Sequence, residues 1–207
     1  MQIACLGWGS LIWDPQKLPL SPKQPPRWHR DGPTLPIEFA RKSSRDRLTL
    51  VVLPQGSEGA VQVLWALLDC SNWETARDEL AFREFRRDPP PSRAWKEKNI
   101  GLWTKGAGGI AVPHREQIGQ WAIQKGLDVV VWTALGANFG PDGAERVPTK
   151  AEALGYLRDV KTKGISAAAE EYVRRTPVEI NTSFRKDIET AFGWPYDGSK
   201  TGVEICP

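Results

Sequence analysis

The chain is organised around the segment Ile3-Ala4-Cys5-Leu6-Gly7-Trp8-Gly9-Ser10-Leu11-Ile12-Trp13. Residues 3–6 form a short apolar run, which predicts a strand that is covered on both faces. Gly7 and Gly9 then allow a tight turn, or a close backbone approach that a Cβ atom would block. Successive N–H groups in such a turn form a concavity that attracts anions. We therefore expect the chemistry of the protein at this turn, where Ser10 adds a hydroxyl.

The same segment has alternative interpretations. A core strand followed by a turn that binds nothing explains the pattern equally well. A dinucleotide-binding fingerprint requires a third glycine that opens a helix, and the chain has Ile12 at that place. A nucleophile elbow puts its serine between two glycines, whereas Leu11 follows Ser10. From the residues alone, two interpretations remain: a turn that binds an anion and a turn that is purely structural.

Length and composition predict one globular domain. The chain has 207 residues, of which 40% are hydrophobic and 26% are charged, as in ordinary soluble proteins. We expect a core over about residues 1–135 and a C-terminal helical extension over about residues 145–195. No apolar run is long enough to cross a membrane, and the first residues lack a signal-peptide pattern. The expectation is a cytoplasmic protein without a membrane partner.

Cysteine and histidine usage does not favour metal or disulfide chemistry. Cys5, Cys70 and Cys206 are too scattered to form a disulfide framework. His29 and His114 are isolated, which argues against a zinc site or a histidine-based triad. We therefore expect no metal site, and any catalysis would rest mostly on carboxylates and backbone groups.

The charge pattern does not favour a nucleic-acid partner. The net charge is +3, and the basic residues are interleaved with acidic ones instead of forming a block. The ten tryptophans are potential stacking surfaces for bases, but Trp65 and Trp132 lie in strand-like runs, which predicts core packing. Nucleic-acid binding stays a weaker alternative, and it would require an affinity that falls steeply with salt.

Strand patterns occupy most of the first half of the chain. Apolar and alternating runs predict three strands that pair as an antiparallel meander, over 36–40, 47–53 and 60–68. The most apolar strand of the chain, over 128–135, is expected to be central. Two segments, the proline-rich 14–36 and the charged 86–98, are expected to be loops.

Helix patterns follow the strands. Ser71 and Glu74 have the spacing of a capping box, as do Thr149 and Glu152. The first box predicts a helix over 73–87. Further helices are predicted over 114–125, 166–175 and 183–192.

The helix over 73–87 carries an acid on the face that we expect to be buried. On a helical wheel, Trp73, Ala76, Leu80 and Glu84 fall on one narrow stripe. Burial without a charged partner would raise the pKa of a carboxyl, which suits a general base or acid that works near neutral pH. The alternative is a structural carboxylate, either exposed or paired with a neighbouring arginine such as Arg83.

Two segments resemble the γ-glutamylcyclotransferase-like proteins. That family has a strand entering Tyr-Gly-Ser-Leu, continued in the glutathione-specific branch by Ile-Trp, and this chain has Trp8-Gly9-Ser10-Leu11-Ile12-Trp13. Its catalytic helix carries a Leu-Asp-x-Arg-Glu segment, which Leu80-Ala81-Phe82-Arg83-Glu84 resembles. Trp8 replaces the tyrosine of the first motif, and Ala81 replaces the aspartate of the second.

The resemblance implies a fold, an activity and a site. The fold would be α+β, with a small mixed sheet or partly closed barrel, surrounding helices and a C-terminal helical segment. The activity would be release of 5-oxoproline from a γ-glutamyl amine or peptide, without a cofactor. Glu84 would be the catalytic base, and the substrate would contact Gly7, Trp8, Gly9, Ser10 and Leu11.

A glycine-rich loop after the strand over 128–135 adds one candidate. Asn138 has both a donor and an acceptor for a ligand, although an asparagine that shapes the turn is the more common case. The rival to an enzyme is a binding or interaction protein that keeps the fold without catalysis. The position of Glu84 separates the two hypotheses: a cavity beside residues 7–11 favours the enzyme, and an arginine-paired surface position favours the rival.

Overall fold

A computed structural model describes residues 1–22, 27–57, 59–85, 90–106, 112–200 and 204–206. The fold is a mixed α+β arrangement in which helices cover a mixed sheet. The α+β prediction is therefore confirmed. The described strands form an open sheet and two separate ribbons, not a closed barrel.

The main sheet contains six strands. In chain order they are β1 (Ile3–Gly7), β2 (Arg27–His29), β7 (Leu64–Leu68), β8 (Ile100–Thr104), β9 (Val129–Thr133) and β10 (Glu204–Cys206). The two ribbons are built from β3 (Thr34–Leu35) with β6 (Val61–Gln62), and from β4 (Ile37–Lys42) with β5 (Leu48–Val52). Across the main sheet the order is β10-β2-β7-β1-β9-β8.

The predicted N-terminal strand is a central strand of this sheet. β1 pairs antiparallel with β7 and parallel with β9, and all of its residues are buried. This burial on both faces explains the continuous apolar run over residues 3–6. Because β1 and β9 run in the same direction, the turn after Gly7 and the residues after Thr133 lie at the same edge of the sheet.

The predicted meander is only partly correct. β4 and β5 do pair antiparallel, but the third run breaks at Val63 into β6 and β7. β6 joins β3, and β7 joins β1 and β2. The apolar pattern identified the strands but not their partners, because an apolar run carries no information about which neighbour it pairs with.

The described helices number six. They are α1 (Trp73–Phe85), α2 (Arg93–Asn99), α3 (Arg115–Gln124), α4 (Lys150–Thr162), α5 (Ala167–Arg175) and α6 (Arg185–Phe192). The predictions for α3, α5 and α6 are confirmed within a few residues, and the capping box of Thr149 and Glu152 starts α4. Gly193 ends α6 in the left-handed conformation that glycine tolerates.

Three local predictions were wrong. α1 is capped by Asn72, whose side chain accepts from the Thr75 N–H at 2.8 Å, and not by Ser71. α2 occupies the second half of the predicted loop over 86–98, of which 86–89 lie outside the described residues. The proline-rich segment 14–36 contains β2 and β3, and its Trp28 is fully buried.

The C-terminal helices pack onto the same hydrophobic core as the sheet. Leu157 of α4, Tyr172 of α5 and Ile188 of α6 are buried in the cluster that contains β1. The helical extension therefore contributes to the core, and through Tyr172 it reaches the edge of the sheet where β1 ends.

Candidate functional site

A cavity of about 580 Å³ opens where β1 ends. One wall is the turn of residues 7–11, together with Arg83 and Glu84 at the end of α1; we call this the turn wall. A second wall comes from residues 41–47, at the end of β4 and in the turn before β5, which we call the basic hairpin; all of its residues except Asp46 line the cavity. The rest of the lining comes from Leu6, Thr49, Leu50, Val51, Phe85, Trp95, Asn99, Thr133, Leu135 and Tyr172.

The two glycines of the turn are required by close packing. A Cβ atom on Gly7 would collide with the Trp28 ring, and a Cβ atom on Gly9 would collide with the Tyr172 hydroxyl. Neither glycine has a positive φ, so close approach is what the sequence motif encodes. The turn is closed by the Ile12 N–H, which donates to the Gly9 carbonyl at 2.9 Å.

The turn also exposes backbone donors. Within the described part of the chain, the N–H groups of Gly9, Ser10 and Leu11 donate to no protein acceptor. These residues line the cavity. Consecutive unpaired N–H groups in a turn form an anion-binding concavity, so the turn has the donors that a carboxylate or an oxyanion requires.

Arg83 links the two sequence motifs. Its Nη1 donates to Glu84 Oε1 at 2.6 Å, and its Nη2 donates to Ser10 Oγ at 3.1 Å. Nη2 and Nε also donate to the Asp14 carbonyl, at 2.8 and 3.2 Å. The arginine is only 4% exposed, and a planar guanidinium is suited to such multiple donation in a fixed geometry.

Glu84 lies in the cavity and is also paired with an arginine. Its side chain is 14% exposed, so it is not the surface carboxylate of the rival hypothesis. Among the described residues, Arg83 donates to Oε1 and no group donates to Oε2. The cavity position of Glu84 is the one expected for an enzyme. Its arginine partner is the one expected for a binding protein.

The buried face of α1 differs slightly from the predicted stripe. Ala76 and Leu80 are fully buried as expected, and Ala81 and Arg83 are buried with them. Trp73 and Glu84 are half-buried. Ala81, at the position where the resembling family has an aspartate, belongs to the hydrophobic core, which offers no charged partner to a carboxylate there.

Tyr172 was missed by the sequence analysis. It comes from α5, is 4% exposed, and its hydroxyl accepts from the Leu50 N–H of β5 at 3.2 Å. Burial raises the pKa of Tyr172 to about 12, so the phenol stays a neutral donor near neutral pH. No local pattern in the sequence of α5 marks this residue, since its place in the cavity depends on packing against Gly9.

The basic hairpin was also missed. Four basic residues of the hairpin line the cavity: Arg41, Lys42, Arg45 and Arg47. Glu84 is the only acidic side chain among the described lining residues. Arg41 Nη1 donates to the Gly136 carbonyl at 2.7 Å, and the Lys42 ammonium lies 4.3 Å from the centre of the Phe139 ring. The cavity is therefore strongly positive.

Asn138 does not line the cavity. Its Oδ1 accepts from the Lys42 N–H at 2.7 Å, and its Nδ2 donates to the Lys42 carbonyl at 2.9 Å. Both polar ends of the side chain are thus used on the backbone at the end of β4. Asn138 positions the basic hairpin and is not placed to contact a ligand.

Cys5 lies in β1 beside the cavity but is fully buried. Burial, and secondarily the Glu84 carboxylate, raise the pKa of its thiol, which disfavours the reactive thiolate form. Cys5 is therefore a core residue and not a nucleophile.

No grouping of three histidine, cysteine or acidic side chains suited to a metal occurs within the described residues. In the same part of the chain, the helices are all too short or too polar to span a bilayer. The chain matches no family model, no curated protein and no solved structure at a significant level. The cavity is therefore the feature of the molecule from which a function can be inferred.

Proposed function

We propose that the chain is a γ-glutamylcyclotransferase-like enzyme that releases 5-oxoproline from a γ-glutamyl amine or peptide by intramolecular aminolysis. The observation that supports it most is the hydrogen-bonded link from Ser10 through Arg83 to Glu84. This link joins the two segments that resemble the family, and it holds a carboxylate in a cavity beside unpaired backbone donors.

Glu84 would carry out the proton transfers. The α-ammonium group of the substrate would give a proton to Oε2 of Glu84, the oxygen that no described residue occupies. The resulting amine would attack the γ-carbonyl carbon and form a five-membered tetrahedral intermediate. Glu84 would return that proton to the leaving nitrogen as the intermediate collapses and the C–N bond to this nitrogen breaks. The ring nitrogen would still carry one surplus proton, which would pass through Glu84 to the released amine. The products are 5-oxoproline and the protonated amine.

The remaining turn-wall groups would hold the substrate and stabilise charge. The N–H groups of residues 9–11 would bind the substrate α-carboxylate or the oxyanion that develops on the γ-carbonyl oxygen. Arg83 touches Glu84 through Oε1 and would act as a positioning residue. Holding both ends of the glutamyl unit would favour ring closure, because the two reacting groups would then be in contact.

A non-catalytic binding protein is the second candidate. The 2.6 Å pairing of Glu84 with Arg83 and the buried Trp8 in place of a tyrosine favour it. On this hypothesis the same cavity would bind an anionic molecule, and Glu84 would be a structural carboxylate.

The two candidates differ in turnover. Wild-type protein, Glu84→Gln and the control Glu74→Gln would be incubated with γ-glutamyl compounds that include glutathione, and 5-oxoproline would be measured by mass spectrometry. Glu74 is exposed in the first turn of the same helix. We expect turnover by wild type and Glu74→Gln, with a loss of about 100-fold to 10,000-fold in kcat for Glu84→Gln. Equal turnover by all three folded proteins would remove Glu84 as the base, and turnover by none would favour the binding protein.

A further inference from the structure

Tyr172 places a buried hydroxyl beside the turn of residues 7–11. The residue is only 4% exposed, yet it lines the cavity. Gly9 shows how close the two are, because a Cβ atom built on this glycine would lie 2.3 Å from the Tyr172 hydroxyl oxygen. The hydroxyl therefore lies against the same backbone whose N–H groups, at residues 9–11, donate to no acceptor in the described part of the protein.

The O–H of Tyr172 lacks an acceptor among the described residues. The phenol oxygen accepts from the Leu50 N–H at 3.2 Å, and a phenol has a single O–H to donate. Because Leu50 approaches the oxygen from one side, the O–H has to point to another. Buried donors are nearly always hydrogen-bonded, so an oxygen of a ligand in the cavity would supply the missing acceptor.

The Tyr172 ring is held in one orientation. It makes edge-to-face contacts with the rings of Trp13 and Phe39, whose centres lie 5.4 and 6.4 Å from its own. Burial raises the pKa of Tyr172 to about 12, so the hydroxyl keeps its proton near neutral pH. A neutral donor that is already oriented can bind an anion without the repulsion that a phenolate would add.

We propose that the Tyr172 hydroxyl completes the anion site of the turn, by donating its O–H to the substrate α-carboxylate that the N–H groups of residues 9–11 bind. This inference rests on the proposed function, which supplies the γ-glutamyl unit and its α-carboxylate. A carboxylate has two oxygens and about four lone-pair sites, so it can accept from the phenol and from the backbone together. Tyr172 would then determine specificity for substrates that carry this carboxylate, although α5 lies outside both segments that resemble the family.

The test uses two probes that differ only in the α-carboxylate. γ-Glutamylglycine has this group, whereas 4-aminobutanoylglycine lacks it and keeps the amine, the γ-carbonyl and the glycine portion. Kd would be measured by ligand-observed NMR, and release of the cyclic product, 5-oxoproline or 2-pyrrolidinone, would give KM and kcat. The proteins are wild type, Tyr172→Phe and the control Tyr156→Phe, since Tyr156 is a half-buried tyrosine of α4 outside the cavity lining.

We expect wild type and Tyr156→Phe to bind γ-glutamylglycine about tenfold or more tightly than 4-aminobutanoylglycine. Tyr172→Phe keeps the ring and removes only the hydroxyl oxygen. It should bind γ-glutamylglycine about tenfold more weakly than wild type, because one hydrogen bond to a charged group is lost, and its Kd for 4-aminobutanoylglycine should change by less than about twofold. The KM for γ-glutamylglycine should rise, and kcat should stay within about twofold.

A second measurement tests the contact between the hydroxyl and the turn without any ligand. Thermal unfolding would be compared for wild type, Gly9→Ala, Tyr172→Phe and the double variant. Gly9→Ala should lower Tm in the wild-type background, because the added methyl group collides with the Tyr172 hydroxyl. It should lower Tm less in the Tyr172→Phe background, where that oxygen is gone. An equal decrease in both backgrounds would overturn the placement of the hydroxyl against Gly9.

Failure of the inference and failure of the proposed function are distinguishable. Weaker binding of γ-glutamylglycine alone by Tyr172→Phe, without turnover by wild type, would contradict the enzyme and leave the Tyr172 contact in place. Turnover with equal KM in wild type and Tyr172→Phe would support the enzyme and overturn the contact. An equal loss of affinity for both probes would indicate a purely structural tyrosine, and a loss confined to kcat would place the hydroxyl on the developing oxyanion. Either result, or no binding of γ-glutamylglycine by folded wild-type protein, would also overturn the inference.

Discussion

The turn wall and the basic hairpin line the same cavity, but their arginines differ in whether they are paired with a carboxylate. On the turn wall, the cation Arg83 is buried and its hydrogen bonds go to Glu84, Ser10 and the Asp14 carbonyl. On the hairpin, Arg41 and Arg45 have no ion-pair partner among the described residues. The turn-wall arginine is therefore hydrogen-bonded within the protein, whereas these two hairpin arginines have N–H groups without a carboxylate partner among the described residues.

Arginine would therefore have a structural role on the turn wall and a binding role on the hairpin. Removing a buried, multiply bonded arginine leaves its partners without a donor, which is costly to stability. Removing an arginine from a cluster of like charges relieves repulsion and costs little. The two walls should therefore respond to matched substitutions in opposite ways: stability reports on the turn wall, and ligand binding reports on the hairpin.

The largest expected effect is at Arg83. Arg83→Met removes the guanidinium and leaves Glu84, Ser10 and the Asp14 carbonyl without their donor. We expect a loss of about 3 to 5 kcal/mol in the free energy of unfolding, since one partner of a buried charged pair is removed. Urea unfolding followed by tryptophan fluorescence measures this.

Arg77→Met is the matched control for that substitution. Arg77 lies on the same helix, stacks 5.1 Å from the centre of the Trp73 ring, and pairs weakly with Asp78 at 3.8 Å. Its loss should cost about 1 kcal/mol or less. If the two variants lost the same stability, the turn wall would not depend on its arginine, and the comparison between the walls would fail.

The turn wall was largely predictable from sequence, because its information is local. The apolar run over residues 3–6 identified β1, and the spacing along α1 identified Glu84 as an acid near a buried face. The closeness of these two segments came only from the family resemblance. Arg83 as their physical link was not predicted, since helical periodicity says nothing about the partner across a cavity.

The hairpin and Tyr172 could not be predicted in the same way. Arg41 reaches its Gly136 partner across 95 residues of sequence, and Tyr172 reaches Leu50 across 122. Such contacts depend on how the strands and helices pack, and the third strand run was itself assigned to the wrong partner. The assignment of 86–98 as a loop failed for a local reason: Ser92 caps α2, but the neighbouring prolines masked that signal.

An intermediate effect is expected at Tyr172, which lies against Gly9 of the turn wall and accepts from Leu50 of β5, the strand that follows the basic hairpin. Burial raises its pKa to about 12, above the value of about 10 in an unfolded chain. The folded state therefore holds this proton more tightly, so the contribution is complete below about pH 10 and is lost as the pH rises towards 12. The loss should be about 2 to 3 kcal/mol.

The measurement is the free energy of unfolding between about pH 9 and pH 12 for wild type, Tyr172→Phe and Tyr156→Phe. Tyr156 is half-buried, and partial burial raises its pKa as well, so it controls for a less buried phenol. We expect the alkaline loss to be clearly smaller in Tyr172→Phe and nearly unchanged in Tyr156→Phe. Parallel curves for wild type and Tyr172→Phe would mean that the phenol between the walls is not desolvated.

The smallest effect on the free energy of unfolding is expected on the hairpin. The sign of this effect distinguishes the hairpin from the turn wall. Arg45 is exposed beside Arg41, Lys42 and Arg47 without a carboxylate partner among the described residues. Arg45→Gln should change the free energy of unfolding by no more than about 0.5 kcal/mol, towards greater stability, because it weakens like-charge repulsion. This gain should shrink as salt is raised, since exposed charges are screened within about 10 Å at 0.1 M salt. A salt-sensitive loss of stability would instead mean that Arg45 is paired in the fold, and the hairpin would then resemble the turn wall. Only a neutral or stabilising substitution is consistent with an Arg45 side chain that pairs with no carboxylate of the described residues.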